Sequence, residues 1–335
     1  MTLEIEAVER FAAREWGADA VRASAATKMS GGAIQENWAL DLEVERGGAT
    51  QRLETVLRTD APSALSVSHG RAEEYALFRA AHAAGVAVPE PLLLGVDVEG
   101  MDRTFFLMER ADGEASPRRL TRREEPDPAL ARRLGAELAR IHSIRDDGSL
   151  AFLVPPEGPP ALARVAEVRA ALDASPAPQP VIEWGARRLE LNAPPAPDTF
   201  VLCHNDYRTG NYMVGDSGLT AILDWEFAGW GDRHADLGWF CARCWRFGQD
   251  AREAGGIGPR EEFYAGYEEV SGPVIDREVV PYWEVLATVR WAAIALGQGD
   301  RHLSGRERSL ELALTRHVVP TLEIDILSQT GEAHA

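Results

Sequence analysis

His204-Asn205-Asp206-Tyr207-Arg208-Thr209-Gly210-Asn211, followed shortly by Ile222-Leu223-Asp224-Trp225-Glu226, is the stretch on which the reading of this chain turns. The apolar run Phe200-Val201-Leu202-Cys203 leads into it as a short buried strand. Tyr212-Met213-Val214, a turn at Asp216-Ser217-Gly218 and Leu219 to Leu223 follow it as a hairpin. Any one aspartate or asparagine here is more readily a turn former than anything else. Together they suit phosphoryl transfer, which needs a carboxylate to take the proton of an attacking hydroxyl and oxygen ligands to hold magnesium against phosphates. Asp206 and Asn211 share one loop, so a tight bend can aim a base and an amide oxygen together, and the hairpin is expected to return Asp224 to the same place. His204 reads as structural, bridging backbone groups beneath the loop.

Upstream, the pattern predicts two or three strands between Thr27 and Asp60, with near alternation from Asn37 to Val44, a hairpin closed by Gly47-Gly48, and a further strand from Leu53 to Arg58. An alanine-rich helix is expected over Arg71 to Ala84, ended by Gly85. Two more strands fit Leu92 to Val98 and Thr104 to Glu109, and a first lobe ends near Arg110. Pro126-Asp127-Pro128 is a helix start, with Asp127 as cap and Pro128 preset for the first turn, and Leu130, Leu134, Leu138 and Ile141 mark its buried stripe. Residues 155 to 197 are rich in proline and alanine and read as an insertion that varies substrate choice. From Ala235 onward the chain reads as helices, the last with a stripe through Leu310, Leu314 and Val318 before Pro320.

A chain of 335 residues exceeds one ordinary core and suits two lobes. With 45% hydrophobic and 26% charged residues it matches a globular protein, and no apolar run reaches the ~20 residues a bilayer span requires. The amino terminus lacks the basic start and apolar middle of a secretory signal, so a cytoplasmic location is expected, without a membrane partner. A formal charge of -18 opposes phosphate backbones and argues against nucleic acid as a partner. Three cysteines cannot all pair within one chain. Cys241 and Cys244 lack the second pair a zinc site would want, and read as buried thiols sharing one helix face.

The H-x-D-x-x-x-x-N loop with a later D-W-E resembles the aminoglycoside phosphotransferase and choline kinase superfamily. Within it the chain is similar to the group related to the kinase-like domain fused to some acyl-CoA dehydrogenases, in order of elements over about residues 25 to 325. The resemblance implies an α+β, two-lobed, protein-kinase-like fold, with a small antiparallel β-sheet N-lobe over residues 1–110 that binds nucleotide. A larger, mostly helical C-lobe over 111–335 would carry the catalytic loop and acceptor site. It further implies Asp206 as base, Asn211 and Asp224 as magnesium ligands, Asp236 as a support for the catalytic loop, and ATP or GTP with Mg2+ as cofactors.

Two departures stand out. Asn205 occupies a position where the family more often has glycine. Lys28 is the only lysine of the chain, and Arg58 stands where kinases place the strand lysine that meets the ATP phosphates. Arginine keeps the charge and binds phosphate bidentately, and Glu74 is expected to pair with it. Ser30-Gly31-Gly32-Ala33 can offer backbone amides to phosphates, although a plain hairpin turn explains the glycines equally well. Phe106 to Arg110 resembles the segment joining the lobes, with backbone groups of Glu109 or Arg110 toward adenine. Trp225, Glu226, Trp230 and Asp232 fall where relatives bind the acceptor, and aromatic faces with carboxylates suit a cation, while core packing accounts for the tryptophans as well. The partner expected is a small hydroxylated molecule. Two other readings compete: a kinase-shaped module that holds nucleotide without transfer, and a metal-dependent hydrolase using His204, Asp206, Asp224, His234 and Asp236.

Overall fold

The computed structural model of the chain describes residues 4–29, 35–60 and 68–331. The amino-terminal part runs α1 (Ile5–Trp16), β1 (Ala20–Lys28), β2 (Gln35–Arg46), β3 (Ala49–Asp60), α2 (Arg71–Ala83), β4 (Pro91–Gly95) and β5 (Phe105–Glu109). Next come α3 (Pro117–Thr121), α4 (Pro128–Ser143), α5 (Pro160–Asp173), α6 (Pro180–Leu191) and β6 (Val201–Cys203). The hairpin β7 (Tyr212–Gly215) and β8 (Gly218–Ile222) precedes β9 (Gly229–Gly231) and α7 (Arg233–Cys241). The chain closes with α8 (Arg260–Ser271), α9 (Val280–Leu303), α10 (Leu310–Arg316) and α11 (Val319–Thr330).

Two compact units result. The first comprises Met1–Glu114 with Asp146–Phe152 and Tyr212–Ala228; the second comprises Ala115–Arg145, Leu153–Asn211 and Gly229–Ala335. The first is built on an antiparallel sheet of order β1-β2-β3-β5-β4. Alternation along β2 sends Leu40, Leu42 and Val44 inward, where they meet Ala7, Val8 and Ala12 of α1 and Phe105 and Leu107 of β5. Helix α1 and the start of β1 at Ala20 were not expected from the sequence: the residues α1 buries, Ala7, Val8 and Ala12, are small and stand among charged ones, and β1 is largely exposed.

The second unit is helical around the short pair β6 and β9. Asp127 caps α4, its Oδ1 accepting from Leu130 N at 2.9 Å, and the stripe Leu130, Leu134, Leu138 and Ile141 is buried. Helices α4 and α8 cross closely at glycine: a Cβ on Gly135 would lie 1.9 Å from the Phe263 carbonyl oxygen, and one on Gly266 would lie 1.8 Å from that of Arg132. The stripe expected through Leu310, Leu314 and Val318 is not buried: all three are exposed, and Leu312, Val319, Leu322 and Ile326 turn inward. The reason is a break at His317 and Val318, after which Pro320 starts α11 instead of ending a helix. Cys241 ends α7 and Cys244 lies in the following 3-10 turn, so they do not share a helix face as expected; both are free thiols, and burial pushes Cys241 up to about 12. Among the described residues no helix is long and apolar enough to cross a membrane.

Candidate active site

The first unit carries a buried charge cluster around Arg58. On β3 this residue stands opposite Asn37 of β2 and Phe106 of β5, which fixes its direction by strand register. Its Nη2 lies 3.0 Å from Glu74 Oε1 and donates to Asp224 Oδ1 at 2.7 Å. Glu74, in the first turn of α2, also accepts from Arg71, whose Nε lies 3.0 Å from Asp60 Oδ1. Burial alone would disfavour the Arg58 cation, but Glu74, Asp224 and Glu226 hold it firmly charged. Burial raises Glu74 despite Arg58 and Arg71, and raises Glu226 to about 7 with help from the Asp224 charge. The side chains of Arg58 and Glu74 are 5% and 0% exposed against 41% for Asp224, so Asp224 alone of the three keeps a large open face. Asp224 adopts a left-handed backbone (φ 61) at the end of the hairpin, which aspartate tolerates better than most residues.

The second unit carries the loop after β6. Asp206 Oδ1 accepts from Arg208 Nε at 3.1 Å and from Trp239 Nε1 at 3.0 Å, and its Oδ2 accepts from Asn211 Nδ2 at 2.6 Å. A carboxylate offers about four lone-pair directions. Three are filled, and one on Oδ2 is left for an incoming hydroxyl. Asn211 spends its N–H donors on Asp206, leaving its carbonyl oxygen as an acceptor. The loop is clamped from below by Asp236, which accepts from His204 N at 2.7 Å and Asn205 N at 2.8 Å and meets His142 Nε2 at 3.1 Å. Burial opposes the Asp236 charge, yet His142 and the two amides keep it below the usual carboxylate range. Burial likewise pulls His142 down, so it sits neutral between Asp236 and the Tyr267 hydroxyl at 2.7 Å. Asn205 has φ 64, which explains why glycine suits this position and why asparagine, among the more permissive side chains there, replaces it.

Other expected residues fall elsewhere. Ser30, Gly31, Gly32 and Ala33 lie outside the described residues. The N–H of Glu109 donates to Glu90 O at 2.9 Å and that of Arg110 to Glu54 O at 3.0 Å, so neither amide is open to an adenine. Trp225 is wholly buried against Phe78 and serves as core, not as a face for a cation. Trp230 pairs with Leu202 in the β6 and β9 ladder, and buried Asp232 caps α7 through His234 N at 2.9 Å. His234 has both ring nitrogens engaged, with Asp232 at 2.7 Å and Asp276 N at 3.0 Å, and so is not poised as the hydrolase ligand considered from sequence. Buried His142, Cys203 and Asp236 come close enough to resemble a metal cluster, but Asp236 and His142 are already bonded as described and Cys203 donates to Asp232 O. Sequence reasoning missed Arg71, Arg208, His142 and Trp239. Trp239 had a signal: it lies three residues after Asp236 on α7, hence on the same helical face.

A family model described as Phosphotransferase enzyme family matches residues 26–273, and the chain belongs to that family. The chain is 31% identical over 179 residues to acyl-CoA dehydrogenase family member 11 of Gallus gallus, a match spanning 51% of this chain and 22% of that relative's length. Its fold is similar to that of a candidate aminoglycoside phosphotransferase from Ralstonia eutropha (TM-score 0.73, 18% identity, 98% of this chain and 99% of that one). It is similar also to spectinomycin phosphotransferase APH(9)-Ia in complex with ADP and spectinomycin (TM-score 0.61, 14% identity, 98% and 99% covered). Aminoglycoside phosphotransferase APH(4)-Ia with AMP-PNP and hygromycin B gives a TM-score of 0.60 at 16% identity, with 98% and 99% covered. The fold is therefore kinase-like and α+β, a five-stranded antiparallel sheet with a helical region.

Proposed function

We propose that this protein transfers the terminal phosphoryl group of ATP or GTP, with magnesium, to a hydroxyl of a small molecule. The observation that carries the reading is the Asp206 carboxylate, fixed by Arg208, Trp239 and Asn211 with one lone pair of Oδ2 left over. Asp206 takes the hydroxyl proton, the hydroxyl oxygen bonds to phosphorus, and the bond to the departing nucleoside diphosphate breaks. Magnesium, when bound, neutralises phosphate charge. Asn211 and Asp224 are the residues assigned to hold it, and the fit rests on their chemistry: a carbonyl oxygen left over by Asp206, and a carboxylate 41% exposed, both hard oxygen donors. Arg58 is assigned to the nucleotide phosphates; its Nε is buried without a hydrogen-bond partner among the described residues, a donor awaiting an acceptor. In this reading residues 1–110 bind the nucleotide and 111–335 supply the base and the acceptor site. The free cysteines, Cys203 and Cys241 buried and Cys244 partly so, suit a reducing cytoplasm. Relatives of known structure bind AMP-PNP or ADP alongside hygromycin B or spectinomycin, which supports a nucleotide donor and a small acceptor.

The test is to incubate the protein with magnesium and ATP or GTP against a panel of hydroxylated metabolites and look for products heavier by one phosphoryl group. Nucleotide binding with no product from any acceptor would replace the transferase with a silent nucleotide-holding module.

A further inference from the structure

Arg290, on α9, is a half-buried cation of the second unit. Its guanidinium carbon lies 5.0 Å from the centroid of the Trp239 ring, the same indole whose Nε1 donates to Asp206 at 3.0 Å. One Nη1 donates to Asn205 O at 3.3 Å. A guanidinium has five donors, and among the described residues Arg290 has no carboxylate within ion-pair reach and no other hydrogen-bond acceptor. Several arginines nearby have a carboxylate partner: Arg208 has Asp206, Arg243 has Asp325, and Arg246 and Arg260 share Glu284. Glu167, Asp206 and Asp236 lie near enough to favour the Arg290 charge, but none forms an ion pair with it: Glu167 meets Arg164, Asp206 meets Arg208, Trp239 and Asn211, and Asp236 meets His142 and the loop amides.

Arg290 also lines a small cavity with Arg164, Asn205, Asp236, Trp239 and Trp283. Its volume is about 20 Å³, room for one small polar group and not for a whole ligand. Arg164, on α5, sits in the segment read from sequence as varying substrate choice, and its Nη1 meets Glu167 at 2.9 Å. Burial, and next the charge of Arg164, draw Arg290 down to about 10, which still leaves it cationic at neutral pH. Asp236 also lines this cavity but is engaged by His142 and the loop amides, so the unmatched donors of Arg290 are what an anion entering here would satisfy. Because the chain as a whole carries a formal charge of -18, an anionic ligand needs such a local site to be held at all.

We propose that Arg290, with Arg164 beside it, recognises an anionic group on the acceptor, a carboxylate or a phosphate, while the acceptor hydroxyl meets Asp206. This rests on the phosphotransferase reading and gives it a substrate class: small hydroxylated acids, not the cations that the Trp225 and Glu226 region suggested from sequence.

The test is calorimetric titration of the protein, loaded with magnesium and AMP-PNP, with matched probes. One arm compares short hydroxycarboxylic acids with their methyl esters, and the other compares sugar phosphates with the parent sugars, so the arms tell which anion is read. At least one anion should bind while its neutral partner binds roughly 10- to 100-fold more weakly, and Arg290→Gln should erase that difference without changing AMP-PNP affinity. Arg290→Lys should keep part of the preference. The comparison of acid with ester in the unaltered protein is independent of how the variants fold. Equal binding of anions and neutral partners, no binding by any anion, or undiminished anion binding by a folded Arg290→Gln protein would overturn the proposal. If anions bind as expected but ATP yields no phosphorylated product, the anion site stands and the transferase reading falls. If only neutral or cationic acceptors are phosphorylated, the reverse holds.

Discussion

The carboxylates around Arg58 and the carboxylate of Asp206 are held by different means. In the first unit Glu74 is buried and its charge is met by guanidinium groups, Arg58 on one side and Arg71 on the other. In the second, Asp206 is held by an indole N–H, an amide N–H and one arginine, on a loop whose backbone is clamped by Asp236. A buried ion pair tolerates little change in either partner, because removing one leaves the other charged and desolvated. A carboxylate shared among several donors keeps its position when one is lost and keeps a lone pair for chemistry. The first arrangement keeps Arg58 charged and in place; the second suits the base that we propose Asp206 to be.

Breaking the second arrangement at its centre should give the largest effect. Asp206→Asn keeps the shape and is expected to lower turnover by roughly 10²- to 10⁴-fold with nucleotide affinity and melting temperature preserved, checked by product formation beside nucleotide titration. Breaking the first at its centre should act on stability instead. Arg58→Ala leaves Glu74 with Arg71 alone and should cost about 3 kcal/mol in denaturant unfolding, besides weakening nucleotide binding more than acceptor binding; unchanged nucleotide affinity would remove Arg58 from that role. Asn211→Ala should raise the magnesium concentration for half-maximal turnover by roughly 10- to 100-fold. Full turnover at unchanged magnesium would refute its assignment as a ligand. The smallest effect is expected from Trp239→Phe, which deletes one N–H to Asp206 but keeps a ring beneath Arg290. A loss of about 1 kcal/mol in transition-state stabilisation, near fivefold in kcat/KM, is anticipated. A loss as large as that of Asp206→Asn would show that the donors of Asp206 do not share its support.

Much of this could be read without coordinates. Strand β2 alternates because one face of it is buried, α4 announces its start through Asp127 and Pro128, and the loop from His204 to Asn211 stands between apolar strands. Such features depend on neighbours in sequence. The errors fell where the outcome depends on distant packing. Leu310, Leu314 and Val318 have helical spacing, but a break at His317 and the position of α9 decide which side is covered. Trp225 is equally able to pack or to stack on a cation, and Phe78, far away in the chain, decides for packing.

The sequence by itself determined the family, the order of elements and the kinds of group available for chemistry, because motif spacing and turn preference act over a few residues. Tertiary structure alone decided which groups meet. The partners of Arg58 lie on α2 and after β8, those of Asp206 include Trp239 on α7, and Arg290 reaches the same indole from α9 without a carboxylate of its own. Those meetings depend on how elements far apart in sequence pack and on which charges that packing removes from water, and neither is encoded in local spacing.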